Sequence, residues 1–168
     1  YLRISTQREA VAEMKEFLAL TPTGKPFFLQ LGLNDPHRPL DKDAIPLPHD
    51  SAKLTLPPHY PDTPKVREDF ARYYDEISRA DGVFGEVLQV LEERGLATNT
   101  LVVFMGDNGA SQLRGKGTLY EFGIHVPLLA RWPAKLKPRS GSDAMISGED
   151  IAPTFLEAAG VPVPKEMT

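Results

Sequence analysis

No cysteine occurs among the 168 residues of this chain. That excludes disulfides, thiolate metal ligands and thiol nucleophiles, and leaves the redox compartment unspecified. Charge of one sign is not gathered anywhere: 19 Lys and Arg against 23 Asp and Glu give a net charge of −4, with no block of like charge. A duplex-binding surface needs Lys and Arg collected on one face, because neutralised phosphates supply most of its affinity, so no nucleic-acid partner is expected. Long apolar runs are missing too. None approaches the roughly 20 residues of a membrane helix, and Tyr1-Leu2-Arg3 opens without the charged and apolar regions of a signal peptide. The chain therefore reads either as cytoplasmic or as lacking its true start, with no membrane partner.

What is present fits one soluble globular segment, 41% hydrophobic and 25% charged, spanning residues 1–168. Thr6 followed by Glu9 forms a capping-box pattern, and Val11, Met14, Phe17 and Leu18 recur at helical spacing, predicting a helix over about 7–20. Residues 27–33 are nearly continuously apolar, the pattern of a strand buried on both faces and a candidate central parallel strand. Between Asp35 and Pro64 stand half of the 16 prolines. This stretch is a long loop, a class of segment that is often functional.

Thr63 as N-cap and Pro64 at the first helical position start a long helix. Its apolar stripe runs through Val66, Phe70, Tyr73, Ile77, Ala80, Phe84, Val87 and Leu91, with Gly95 placed to end it. Strands follow at 100–105 and 127–132, and a last helix at about 149–159 stops at Gly160. Strands alternating with helices predict an α/β fold, a mainly parallel sheet with flanking helices. Ligands in such folds sit beyond the carboxyl ends of the strands.

Two strand ends carry groups capable of chemistry. Asn34-Asp35-Pro36-His37-Arg38-Pro39 follows the first strand and Asp107-Asn108-Gly109 the second, and parallel strands would bring both to one edge of the sheet. Asp107 and Asn108 offer hard oxygen ligands suited to Ca²⁺ or Mg²⁺; equally, Asn-Gly is a favoured turn. His37 can donate a proton or hydrogen bond to an oxyanion, or simply bond nearby backbone. Lys116 lies between Gly115 and Gly117, where backbone can approach an anion and the ammonium can neutralise it; a solvated surface lysine is the plainer use. The spacing is not that of a Walker loop. His49 and His59, in the proline-rich loop, read as surface residues.

These features occur in an order that resembles the sulfatase family of the alkaline-phosphatase superfamily. Pro26-Phe27-Phe28-Leu29 through Pro36-His37-Arg38-Pro39 is similar to the family's strand and Pro-His-x-Pro loop. Asn99 to Gly109 resembles its "NTLVVFTSDNG" segment, Gly115 to Pro127 its "GKGTLYEGGIRVP" stretch, and Asp150 to Gly160 its "DIAPTLLELAG" segment. The likeness runs through nearly the whole chain. It implies an alkaline-phosphatase/sulfatase-like fold in truncated form, the latter part of the catalytic α/β domain without the family's first strands or its smaller C-terminal domain.

By that resemblance Asp107 and Asn108 are metal ligands, usually to Ca²⁺ with Mg²⁺ as the other choice. Lys116 contacts a sulfate or bridging oxygen, and His37 the sulfate or leaving-group oxygen. The implied partner is a sulfated small molecule or glycan, and the implied location is the periplasm, the lysosome or the medium. Pro57-Pro58-His59-Tyr60-Pro61-Asp62-Thr63-Pro64 leans toward a heparan N-sulfatase-like branch. His125 stands where the family has Arg, and Phe122 where it has a small residue. The family's nucleophile is a formylglycine made within a C/S-x-P/A-x-R motif, which has no counterpart here; neither do the family's paired N-terminal aspartates. The chain is therefore expected to be an internal segment, inactive alone, whose missing halves leave apolar surface that favours self-association. The other readings are a phosphoryl hydrolase or transferase of the same superfamily, and a non-catalytic binding module that has lost its nucleophile.

Overall fold

A computed structural model describes residues 3–4, 7–41 and 45–167. Its contacts divide the chain into two units, Tyr1–Gly95 with Ala110–Leu113, and Leu96–Gly109 with Arg114–Thr168.

In the first unit, strand β1 (Arg3–Ile4) leads into helix α1 (Gln7–Leu20). Thr6, the expected cap of this helix, lies outside the described residues. Ala10, Met14 and Leu18 are its buried side chains, spaced i, i+4, i+8 along one face, with Val11 and Phe17 half-buried beside them. Strand β2 (Gln30–Leu31) pairs with β1 in parallel, Arg3 opposite Gln30 and Ile4 opposite Leu31. The expected strand over 27–33 is thus paired for two residues only. It is not buried on both faces either: Phe28 is 50% exposed, because β1 is the one strand that β2 pairs with among the described residues.

Helix α2 (Pro64–Glu93) begins as its sequence dictates. The Thr63 Oγ1 accepts the Val66 N–H at 3.3 Å, and Pro64, which lacks an N–H, occupies the first position where none is needed. Gly95 ends it at φ +67°, a left-handed conformation that a side chain would resist, with its N–H donating to the Glu92 carbonyl at 3.0 Å. The helix packs on α1, and Phe70, Ala71, Ala80, Val87, Val90 and Leu91 are buried. Ile77 departs from the expected stripe at 40% exposed, whereas Asp75 and Glu76 are buried at 4% and 1%. Periodicity places Ile77 toward the core, but the proline-rich loop lies against the neighbouring face and covers the two carboxylates instead. That loop contains a short 3₁₀ turn, Ser51–Lys53, capped by the Asp50 side chain.

In the second unit, strand β3 (Val102–Met105) pairs with strand β4 (Leu128–Arg131). The ladder is antiparallel, from Val102 opposite Arg131 to Met105 opposite Leu128. A mainly parallel sheet was expected. The connection explains the difference: a parallel return needs a crossover, usually a helix of some length. Residues 106–127 hold only the four-residue helix α3 (Glu121–Ile124), so the chain turns back at the same end of the ladder. The strands that carry His37 and Asp107 accordingly belong to separate two-stranded ladders rather than neighbouring positions in one. Helix α4 (Ile151–Ala158) follows a 3₁₀ turn whose Ser147–Asp150 capping box is complete, and Gly160 ends it at φ +71°. Among the described residues no helix is long and apolar enough to cross a membrane.

Candidate functional site

In the second unit the end of β3 is fixed by one more backbone bond, the Gly106 N–H donating to the Pro127 carbonyl at 3.0 Å. The chain then turns through Asp107 and Asn108 into Gly109, which is buried. A Cβ at Gly109 would stand 2.5 Å from the Phe122 carbonyl oxygen and 2.6 Å from the Gly123 Cα, so backbone meets backbone here. Gly123 in turn lies against the other loop, its Cβ position 2.6 Å from the Gly115 oxygen and 2.8 Å from the Thr118 Oγ1. Two glycines thus bring the Asp107-Asn108 turn and the Lys116 loop into direct packing, as only residues without a side chain allow.

The Lys116 loop is closed by Thr118. Its N–H donates to the Gly115 carbonyl at 3.1 Å, and its hydroxyl lies 2.8 Å and 2.9 Å from the Gly115 and Arg114 carbonyls. Gly117 takes φ +81° at the tip. Lys116 is exposed there, Asp107 is exposed and Asn108 half-buried. None of these three side chains has a hydrogen-bond or ion-pair partner among the described residues. His125, standing where an Arg was expected by resemblance, points its Nδ1 at the Glu121 Oε1, 2.7 Å away at the surface. The Arg114 guanidinium sits over the Tyr120 ring at 4.8 Å.

His37 lies in the first unit. Its N–H donates to the Asn34 carbonyl at 2.8 Å, closing a turn, and its Nδ1 is 2.6 Å from the Arg38 carbonyl. A carbonyl oxygen can only accept, so Nδ1 carries the proton and the exposed Nε2 is left without a protein partner among the described residues. The loop around it is fastened to α2 on both sides. Arg38 makes two bonds to Asp69, at 2.9 Å and 2.5 Å, and Arg79 holds Asp35 through two bonds at 2.5 Å and 2.8 Å while reaching Asp41 at 2.8 Å. These carboxylates raise both guanidinium pKa values further above their ordinary range, mainly through the hydrogen bonds themselves.

Deeper in the same interface Glu76 accepts the Asp41 N–H at 2.7 Å through Oε1, while its buried Oε2 has no partner among the described residues. Burial pushes the Glu76 carboxyl up, and the Asp35 and Asp41 charges add to this. His49, expected as a plain surface residue, places both its N–H and Nδ1 on buried Asp75, at 2.8 Å and 2.7 Å. Arg67 donates to the Ser51, Ala52 and Leu54 carbonyls and pairs with Asp62. Sequence reasoning missed Asp69, Asp75, Glu76 and Arg79. One signal was there: Asp69, Glu76 and Arg79 are spaced by seven and three, charged residues on one side of an otherwise apolar-striped helix.

No group of three or more His, Asp or Glu side chains able to enclose a metal occurs among the described residues. Asp107 and Asn108 nonetheless fit a hard cation as part of a larger ligand set: both are oxygen donors, they are adjacent on a turn fixed by glycine packing, and neither side chain is engaged by another among the described residues.

The sulfatase family model matches residues 6–161. Among curated proteins, the endo-4-O-sulfatase of Bacteroides thetaiotaomicron is 31% identical over 91% of this chain and 32% of its own length. The human N-sulphoglucosamine sulphohydrolase is 33% identical over 90% of this chain and 34% of its own. Among solved structures, Ps i-CgsB in complex with k-i-k-neocarrahexaose superposes with a TM-score of 0.70 at 31% identity, covering 96% of this chain and 34% of that one. The chain therefore spans about a third of the length of these three relatives.

Proposed function

This chain belongs to the sulfatase family, and from that premise we propose that it forms the metal- and anion-facing part of a sulfuric-ester hydrolase acting on a sulfated glycan. The observation that carries this reading is the glycine-mediated packing of the Asp107-Asn108 turn against the Lys116 loop, which sets two oxygen donors and an ammonium, without partners among the described residues, on adjoining backbone. Asp107 and Asn108 would hold one side of a Ca²⁺ or Mg²⁺ ion, supplying about three of the six to eight oxygens that Ca²⁺ takes. When bound, that ion offsets sulfate charge.

Lys116 adds a second positive charge against a sulfate oxygen, and its short, closed loop limits the reorganisation needed when charge develops. The resemblance gives His37 a role toward the sulfate or leaving-group oxygen, a contribution of about 10²- to 10⁴-fold where a proton is delivered. The family's formylglycine has no counterpart among the 168 residues, so the attacking atom is not assigned to this chain, and the segment alone is inactive in this reading. The two curated relatives differ by name in whether the sulfate sits on nitrogen or on a 4-oxygen. Their likeness supports a sulfated sugar as the substrate class. Exposed Leu119, Met145 and Ile146, at 91%, 99% and 57%, support self-association of the isolated segment, which light scattering would detect.

The test is hydrolysis of sulfated oligosaccharides by the complete product of the gene. Turnover lost on chelation, and reduced by Lys116→Ala and Asp107→Asn in folded protein, supports the assignment. Phosphate-monoester turnover without sulfate-ester turnover would replace it with a phosphoryl hydrolase. Glycan binding without turnover would replace it with a binding module.

A further inference from the structure

His37 is exposed on a loop rich in proline, yet residues on both sides of it are clamped to α2. Asp35 is pinned by Arg79, and Arg38 by Asp69, each through two parallel N–H to carboxylate bonds. The polarity alternates: at one end the loop supplies the carboxylate and the helix the guanidinium, at the other the reverse. Bidentate pairs fix orientation as well as distance, because the planar fork and the carboxylate must be coplanar. Arg38 also supplies the carbonyl that accepts the His37 Nδ1–H at 2.6 Å. Fixing the Arg38 side chain to Asp69 therefore fixes the peptide group that selects the imidazole tautomer.

We propose that Asp69 and Arg79 on α2 are positioning residues for His37, holding the Asp35–Arg38 segment so that the Arg38 carbonyl keeps Nδ1 protonated and Nε2 is the nitrogen presented to the sulfate. In the neutral ring this leaves Nε2 as the acceptor; in the imidazolium the same geometry leaves Nε2–H as the free donor. Neither α2 residue touches the substrate in this arrangement. In giving His37 a role it rests on the sulfatase reading above, but the tautomer can be measured without turnover.

The experiment is nitrogen NMR on the chain labelled at its four histidines, recorded where the rings are neutral. His49 is the internal control, since its Nδ1 is held by Asp75 and not by the loop around His37. His37 is expected mainly as the Nδ1–H tautomer. Asp69→Asn and Arg79→Gln should each shift it toward the Nε2–H form with His49 unchanged, and Arg38→Asp combined with Asp69→Arg should restore the original form. Asp69 is partly exposed, so its variant decides the matter even if Arg79→Gln fails to fold. An Nε2–H tautomer in the parent protein, or an unchanged tautomer in folded Asp69→Asn, would overturn the proposal. If the tautomer responds as expected but the complete gene product does not hydrolyse sulfate esters, the positioning stands and the sulfatase reading falls.

Discussion

Gly109 and Gly123 are in backbone contact: a Cβ on Gly109 would lie 2.6 Å from both the Gly123 Cα and the Gly123 carbonyl oxygen. The obstructing atoms are main chain rather than the end of a flexible side chain, so they cannot swing aside. Gly109→Ala should therefore destabilise the second unit by about 1–3 kcal/mol, the usual cost of overpacking, and separate the Asp107-Asn108 turn from the Lys116 loop. Denaturant titration followed through Trp132 checks the first effect, and a loss of cation affinity in the complete gene product checks the second.

The opposite sign is expected inside α2. Gly82 and Gly85 are exposed mid-helix, with nothing within 4 Å of a Cβ at either site. Alanine there lowers the entropy of the unfolded chain without a clash. Each substitution should stabilise by roughly 0.5–1 kcal/mol, read as a higher thermal midpoint.

The two clamps on the His37 loop should differ in cost. The Asp35 side chain is 5% exposed, whereas Arg38 and Asp69 are 41% and 37% exposed. Removing the Arg79 guanidinium takes the bidentate ion-pair partner from a buried carboxylate, which typically costs about 3–5 kcal/mol. Asp69→Asn breaks a pair that water can replace, at about 0–1 kcal/mol. Equal losses in equilibrium unfolding would show that burial does not govern this interface.

Glu76 gives the protein a pH dependence of definite sign. Burial, with the Asp35 and Asp41 charges adding to it, raises its carboxyl above the ordinary value of 4.5. In the window above that value the folded protein keeps a proton that the unfolded chain has released. The stability associated with protonated Glu76 is then fully present below the unfolded pKa and lost as pH rises through the folded one. Glu76→Gln removes the ionisable group, so the variant should gain on the parent as pH rises from 4.5 toward neutrality. Unfolding curves across that range that stay a constant distance apart would refute it.

By itself the sequence determined what depends on neighbours a few residues away. The helical period through Met14 and Leu18, the Thr63 cap and Pro64 start of α2, and the glycine stops at Gly95 and Gly160 are local, because helix bonds and caps close within four residues. Asp107-Asn108-Gly109 at a strand end was legible for the same reason, as was the kinship carried by that motif and by the Gly115–Gly117 loop. Tertiary structure alone decided the rest. β4 runs antiparallel to β3 because 106–127 holds no crossover helix. Asp75 and Glu76 are buried because a proline-rich loop covers them, and His49 leaves the surface role for a carboxylate 26 residues away. The pairs that hold His37, Arg38 with Asp69 and Arg79 with Asp35, span 31 and 44 residues. Charge and spacing cannot announce partners at that separation; only the return of the loop along α2 brings them within hydrogen-bond reach.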